Sequence, residues 1–298
     1  MIQTHSTKPP VNIQSYTNFE DILKTYVRYN EYGRLLDGIL ALDDVIDAAS
    51  WPGSETCTHG GTIDFSGQRN ASTISGGLDE KSEYIKYEFN NCELDDHRGL
   101  KITVSGTYEQ TYTGVSKGST LIAAQTIEKY DLSGNFNDHF VSRVEPFNLS
   151  AQVVETTEGG TLYEEYSVER RMIPFEFRTG SHYLALSDMT LTSKSRPGTF
   201  DPVLHTQDGR IISSWLSGFV VHVTDTVLST PTNKTCPTEG VLQFIDENNG
   251  VIEVRYLDDT NTGHGVTAEI NENGVPRLLD DCEDMSPGND PINIILPL

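Results

Sequence analysis

From residue 51 onward, apolar and polar positions alternate with period two, the mark of strands with one covered and one wet face. Residues 83–89 show it most plainly: Tyr84, Lys86 and Glu88 fall on one face, and Ile85, Tyr87 and Phe89 on the other, read as the core face. The same alternation predicts strands over residues 100–108, 120–132, 147–155, 161–169, 172–178 and 183–192. Further strands are expected over 62–65, 210–212, 218–224, 241–245, 250–256 and 266–270. Turn-forming residues fall between them: Ser75-Gly76-Gly77, Ser133-Gly134-Asn135, Glu158-Gly159-Gly160, Thr179-Gly180 and Arg196-Pro197-Gly198. Strands that recur without intervening helices pair antiparallel. Such a meander buries one face by curling into a barrel, packing on a second sheet or taking a helical lid.

The period changes towards the N-terminus. Residues 1–17 are polar, contain Pro9-Pro10, and read as a flexible lead-in. Asn18 can cap a helix, Glu20 and Asp21 suit its first turn, and Ile22, Leu23, Tyr26 and Val27 recur at helical spacing. After Gly33 a second series (Leu35, Leu36, Ile39, Leu40, Leu42, Val45, Ile46) runs on until Trp51-Pro52-Gly53 stops it. The expectation is a mainly β protein: a large curled antiparallel sheet, barrel or sandwich with an N-terminal helical hairpin as lid. In domain terms, 18–50 is the helical segment, 51–230 the main β domain, and 231–298 a C-terminal meander packed on it.

Four cysteines refine this picture. Cys57 and Cys236 each precede a glycine turn and a short apolar strand, and Cys92 and Cys282 each close the meander in an acidic loop. With no C-x-x-C spacing, they do not form a zinc or redox motif. Of three pairings, Cys57–Cys92 with Cys236–Cys282 is preferred because each pair closes one local meander, a staple of about 4 kcal/mol on loop-entropy grounds. Two disulfides imply an oxidising compartment, so the chain is expected to be exported: periplasmic, outer-membrane-anchored or extracellular. Residues 1–6 carry neither the basic nor the apolar part of a signal peptide, so export requires that a leader has been removed. No run approaches the ~20 apolar residues of a membrane-spanning helix.

Charge removes whole function classes. The 298 residues include 44 acidic and 21 basic side chains, a net charge of −23, which repels phosphate backbones and anionic lipid. Nucleic acid is therefore not an expected partner. The apolar share, 36%, suits many turn-linked, half-exposed strands better than a helical bundle.

The chemistry left to consider is sparse. Oxygen donors sit beside glycine turns in Asp246-Glu247-Asn248-Asn249-Gly250, in Asn271-Glu272-Asn273-Gly274 and in residues 131–138. Asp246, Glu247, Asn249, Asn271 and Asn273 are the candidate Ca²⁺ ligands. The ion takes six to eight oxygens, however, and none of these loops has EF-hand spacing. Asn-Gly and Asp-Gly are also ordinary hairpin turn chemistry. The eight histidines fall in no H-E-x-x-H spacing and there is no G-x-S-x-G elbow. His222 reads as a sheet residue, while His97 beside Asp95-Asp96 and His139 beside Asp138 read as surface pairs. No catalytic residue and no resident cofactor is assigned. Trp51, Trp215, Tyr163, Tyr166 and Tyr183 are the aromatics considered for a sugar-stacking platform, against ordinary packing.

Two stretches carry a resemblance. Cys57-x-x-Gly60-Gly61 with Tyr87-Glu88-Phe89-Asn90-Asn91-Cys92 is one. Cys236-Pro237-Thr238-Glu239-Gly240-Val241-Leu242, followed by residues 266–274, is the other. Together they resemble a diffuse group of exported, lipoprotein-like bacterial proteins built on C-x-x-G-G…F-N-N-C and C-P-x-x-G-x-L meanders. The closing loop departs from the pattern, with Asn271-Glu272-Asn273-Gly274 where a more aspartate-rich turn is expected. The resemblance implies a place in the envelope or outside the cell and supplies no catalytic residues. The expected role is non-enzymatic, structural or binding, with an envelope component or glycan as partner. Self-assembly into a surface or fibre subunit through terminal strands, such as 291–296, is a further form of it. The competing classes are a carbohydrate-binding or carbohydrate-active protein and a periplasmic lipid-binding half-barrel.

Overall fold

The computed structural model describes residues 18–22, 25, 52–95, 100–138, 143–159, 167–180, 182–195, 202–216, 218–229, 237–258, 268–272 and 274–279. The chain divides into two compact units, one of residues 31–161 and 170–183, the other of residues 1–30, 162–169 and 184–298. Both are antiparallel meanders in which strands follow one another in chain order.

The first unit holds β1 (Gly53–Thr56), β2 (Gly60–Ser75), β3 (Leu78–Asp95), β4 (Leu100–Lys117), β5 (Thr120–Asp138) and β6 (Arg143–Glu158). It also holds β7 (Ser167–Thr179) from Arg170 onward. Gly76 and Gly77, at φ 61° and 81°, form the two-residue link between Ser75 and Leu78. Positive φ at both central residues is the primed turn whose twist matches a hairpin. Gly118 opens the equally short link from Lys117 to Thr120.

Cross-strand register builds the core of this unit in rows. Phe65, Tyr87, Tyr108, Tyr130 and Ala151 stand opposite one another on β2 to β6, and all five are buried. The next row is Ile63, Phe89, Gly106, Leu132 and Leu149. Asn91 takes φ 48° and bulges β3, which keeps Cys92 and Leu94 facing the core opposite Val104 and Ile102. Ile85, Tyr87 and Phe89 are buried while Tyr84 and Glu88 are exposed, the faces their alternation predicts.

The Cys57–Cys92 disulfide is formed across a Cα separation of 5.4 Å. Cys57 follows β1, and His59 N–H donates to the Glu93 carbonyl at 3.2 Å, so the β1–β2 turn is tied to the bulged end of β3. Cys236 and Cys282 lie outside the described residues.

The second unit holds β8 (His182–Ser195) from Leu184, β9 (Pro202–Ser213), β10 (Phe219–Ser229) and β11 (Glu239–Asp246). It ends with β12 (Val251–Tyr256), β13 (Ala268–Glu272) and β14 (Val275–Leu279). Its core face carries Leu186, Leu191, Ile211, Val220, Leu242, Phe244, Val254 and Ile270, all buried.

Three expectations are corrected. The helical hairpin over 18–50 is not found: residues 19–22 and 25 are helical, and 26–50 lie outside the described residues. That short stretch, capped by Asn18 Oδ1 accepting from Asp21 N–H at 2.9 Å, sets Ile22 and Thr25 against Ile211, Leu216, Val220 and Phe244. Second, no barrel forms in either unit: among the described residues β1 pairs only with β2 and β14 only with β13. Third, Ser133-Gly134-Asn135 is not a turn but the interior of β5. A Cβ on Gly134 would stand 1.8 Å from the Thr103 carbonyl oxygen, so glycine is needed there for close strand approach rather than for chain reversal.

Candidate functional site

The outer face of β2–β6, opposite the aromatic core, is wet and rich in hydroxyl and amide side chains. Register lines up Ala71, Ser82, Thr113, Gln125 and Thr156 across five strands. One row towards the hairpin tips come Thr73, Glu80, Val115 and Ala123. One row the other way come Gln68, Tyr84, Thr111, Ile127 and Val154. Small side chains in the first two rows leave a concavity of about 450 Å³, within the usual size of a ligand site. Glu80 is the one carboxylate among its described lining residues. Tyr84, 38% exposed, presents its ring on the same face beside it.

On the core face, where the aromatic row meets solvent, sits a polar cluster. Tyr108 and Tyr130 each donate a hydroxyl hydrogen bond to Glu128, one to Oε1 at 3.0 Å and one to Oε2 at 3.1 Å. Gln110 adds a weak donor at 3.4 Å. The Tyr87 and Tyr108 rings stack with centroids 5.9 Å apart, and Tyr130 sits tilted against Tyr108 at 5.0 Å. Arg69 reaches the Tyr87 hydroxyl at 3.2 Å, and Arg170 Nε donates to Glu155 at 3.0 Å. Burial, then the Glu128 charge, pushes both the Tyr108 and Tyr130 phenols well above the usual tyrosine range. Raised phenols bound to one carboxylate are poor nucleophiles and poor bases. Chemically the cluster ties β4 to β5 through Glu128, and Arg69 and Tyr87 carry it across β2 and β3 at the core margin.

The second unit carries a buried polar strip. Ser193 Oγ and His205 Nδ1 are 3.5 Å apart. Gln207 is fully buried, its side-chain amide has no hydrogen-bond partner among the described residues, and its backbone exchanges hydrogen bonds with the Thr224 hydroxyl. His222 is fully buried and lies flat on Phe244, and desolvation lowers its pKa to about 3. The imidazole is therefore neutral and inside the sheet, the role its alternating strand suggests.

The sequence-derived candidates are not drawn together. Asp246 closes the β11–β12 turn, its Oδ1 accepting from Asn248 and Gly250 N–H at 2.8 and 2.7 Å. Asn249, at φ 61°, is the left-handed residue of that turn, and Glu247 packs over Gly218. Asn271 stands opposite Glu253 on the face away from Asp246, and Asn273 lies outside the described residues. Residues 131–138 are strand, so the side chains of Asp131, Ser133 and Asn135 share one face and are not gathered into a loop. Among the described residues no group of three or more His, Cys, Asp and Glu is placed to hold a metal. Trp51, Tyr163, Tyr166, His97 and His139 lie outside the described residues. Tyr183 sits under the Arg178 guanidinium, 4.5 Å from its centroid, and Trp215 belongs to the other unit.

Sequence reasoning missed both the Glu128 cluster and the outer groove. Each is assembled from three to five strands, and only register brings those residues together. No helix among the described residues is long and apolar enough to cross a membrane. No family model matches the chain, and neither the curated proteins nor the solved structures yield a match.

Proposed function

We propose that this chain is a non-enzymatic binding protein of the bacterial envelope or extracellular space. One observation carries the reading: the ligand-sized concavity on β2–β6 sets the hydroxyl and amide side chains of Thr73, Ser82, Thr113, Gln125 and Thr156 among small apolar residues on a sheet hydrogen-bonded from strand to strand. Such a surface recognises and holds. Two acidic groups among the described residues are committed to the scaffold, Glu128 to two phenols and Asp246 to its own turn. The Cys57–Cys92 bond supports an oxidising compartment, and the cysteine–glycine meanders resemble those of exported, lipoprotein-like bacterial proteins. Fractionation of cells carrying the tagged chain, with thiol labelling of Cys57 and Cys92, tests the location. Recovery in the cytoplasm with both thiols reduced would sink it.

A second reading has its own observation. Val275 and Leu278 of β14 are 67% and 56% exposed on a strand near the C-terminal end of the described chain. Exposed apolar side chains on a terminal strand suit addition of a neighbouring copy. Sedimentation velocity over a wide concentration range tests self-assembly: a monomer throughout removes it, and an oligomer broken by Leu278→Lys supports it.

A further inference from the structure

We propose that the outer-face groove of β2–β6 binds a neutral glycan chain, which lies along the Ser82–Thr113–Gln125–Thr156 row with one sugar ring stacked on Tyr84. The inference rests on the binding-protein reading and adds the ligand class.

Three observations converge on that class. The first is the donor set. Hydroxyls both donate and accept, and an amide offers two donors and two lone pairs, so this row answers a partner that is itself covered in hydroxyls. A charged ligand would ask for Arg or Lys, yet Lys86, the lysine beside Tyr84 on this face, is held by Glu88 at 3.1 Å. Lys81, which lines the groove, has its side chain on the opposite face from Ser82 and Glu80 by strand alternation. The chain's net charge of −23 further disfavours acidic glycans.

The second is the aromatic. Tyr84 lies two residues from Ser82 on the same face of β3, in unbroken register with Thr111 and Thr113 of β4, while β2 bulges opposite them between Gln68 and Ala71. Its ring is half-open to solvent, unlike Tyr87, Tyr108 and Tyr130, which are buried. An exposed ring beside hydroxyl and amide groups pairs an apolar platform with polar handles, the two surfaces a sugar presents on its face and rim.

The third is length and stiffness. Strands lie about 4.8 Å apart, so a row crossing five of them spans roughly 19 Å, enough for an extended chain of several rings. β3, β4 and β5 are hydrogen-bonded on both sides, and binding to such a surface orders little backbone. The short side chains of Ala71, Ser82 and Ala123 form the trough, and the longer Tyr84 and Gln125 stand beside and within it.

The test is affinity electrophoresis of the purified full chain through gels holding soluble uncharged polysaccharides (a β-glucan, a galactomannan and an arabinoxylan), with polygalacturonate as the anionic comparison. The expected result is retardation by at least one neutral polymer and none by the polyanion. Tyr84→Ala and Gln125→Ala should each weaken it about tenfold, a loss on the scale of one good contact. Thr113→Val keeps the β-branched shape, removes one hydroxyl, and should weaken it measurably with an unchanged circular dichroism spectrum. Retardation by none of the neutral polymers overturns the proposal, as does retardation by the polyanion alone or binding that all three variants retain. Release of new reducing ends from a retarding polymer would leave the groove assignment standing and overturn the non-enzymatic reading, so the two failures are distinguishable.

Discussion

His222 lies face to face with Phe244, their ring centroids 4.8 Å apart and their planes 14° from parallel, at a cross-strand pair of β10 and β11. The imidazole is fully buried, and desolvation holds its pKa near 3, while the unfolded chain titrates near 6.5. The unfolded state therefore binds the extra proton between those values. This contribution is fully present above pH ~6.5, falls away as pH drops towards 3, and amounts to on the order of 5 kcal/mol over the whole window. Replacing the imidazole by a ring that cannot titrate, His222→Phe, removes the dependence. Urea unfolding at pH 7 and pH 4.5 should show the wild-type chain losing roughly 2–3 kcal/mol more than the variant between the two. Equal losses would mean the imidazole is not desolvated.

The carboxylate of Glu128 accepts hydrogen bonds from two buried phenols. Glu128→Gln keeps the shape but turns one acceptor oxygen into a donor, leaving a tyrosine O–H without a partner. An orphaned buried donor costs about 1–3 kcal/mol. Adding Tyr130→Phe should restore part of that loss, because the orphan is gone. A double-mutant cycle that is purely additive would separate the two groups. Both phenol pKa values are raised, so the folded state holds these protons above pH ~10 when the unfolded chain releases them. The stabilisation is whole below pH 10 and declines as pH climbs beyond it. Phenolate absorbance should accordingly reveal these two tyrosines only with global unfolding.

How much of this could be read from the chain alone varies with the cause. Ile85, Tyr87 and Phe89 were legible because one face is dry and the other wet, which is what period two records. β4 was foreseen to Tyr108 but runs on to Lys117. Beyond Tyr108 the residues Gln110, Thr111, Tyr112 and Thr113 are exposed or half-exposed on both faces, so no apolar rhythm marks the strand. Its hydrogen bonds to β3 and β5 carry it instead. Glu128 and Gln125 were invisible as site residues for a related reason. Their meaning lies in which residues of β3, β4 and β6 stand opposite, and register between long polar strands leaves little trace in sequence. Glycine was read as chain reversal at both Gly76 and Gly134, and only the first reverses.

Gly134 faces the core between β4 and β6. A methyl group there would press on the Thr103 carbonyl and come within 3.1 Å of the Phe147 ring edge. Backbone cannot yield as a side chain does, so Gly134→Ala should cost about 2–4 kcal/mol. Gly118 also takes a positive φ, but it has open space around it, and Gly118→Asn suits a left-handed turn position. That change should cost less than about 1 kcal/mol. Thermal unfolding of the two variants side by side gives the comparison. Similar midpoints would show that the sheet can move aside at Gly134.

The disulfide closes a loop between residues 35 apart in sequence and ties the turn before β2 to the bulge in β3. On the chain-entropy account, cross-linking such a loop stabilises by about 4 kcal/mol, because the unfolded chain loses the freedom to separate its ends. Reducing agent is a poor probe here, since Cys236 and Cys282 would be exposed to it as well. The double substitution Cys57→Ala with Cys92→Ala isolates the one staple. Cys92 is wholly buried, so a small cavity adds to the entropic loss, and the sum should lower the urea midpoint clearly. Restricting the unfolded ensemble also shrinks the surface exposed on unfolding, so the variant's denaturant slope should rise. A lowered midpoint with an unchanged slope would place the effect in native packing rather than in the unfolded chain. Unchanged stability would remove the staple as a reason for the chain to fold where cysteines are oxidised.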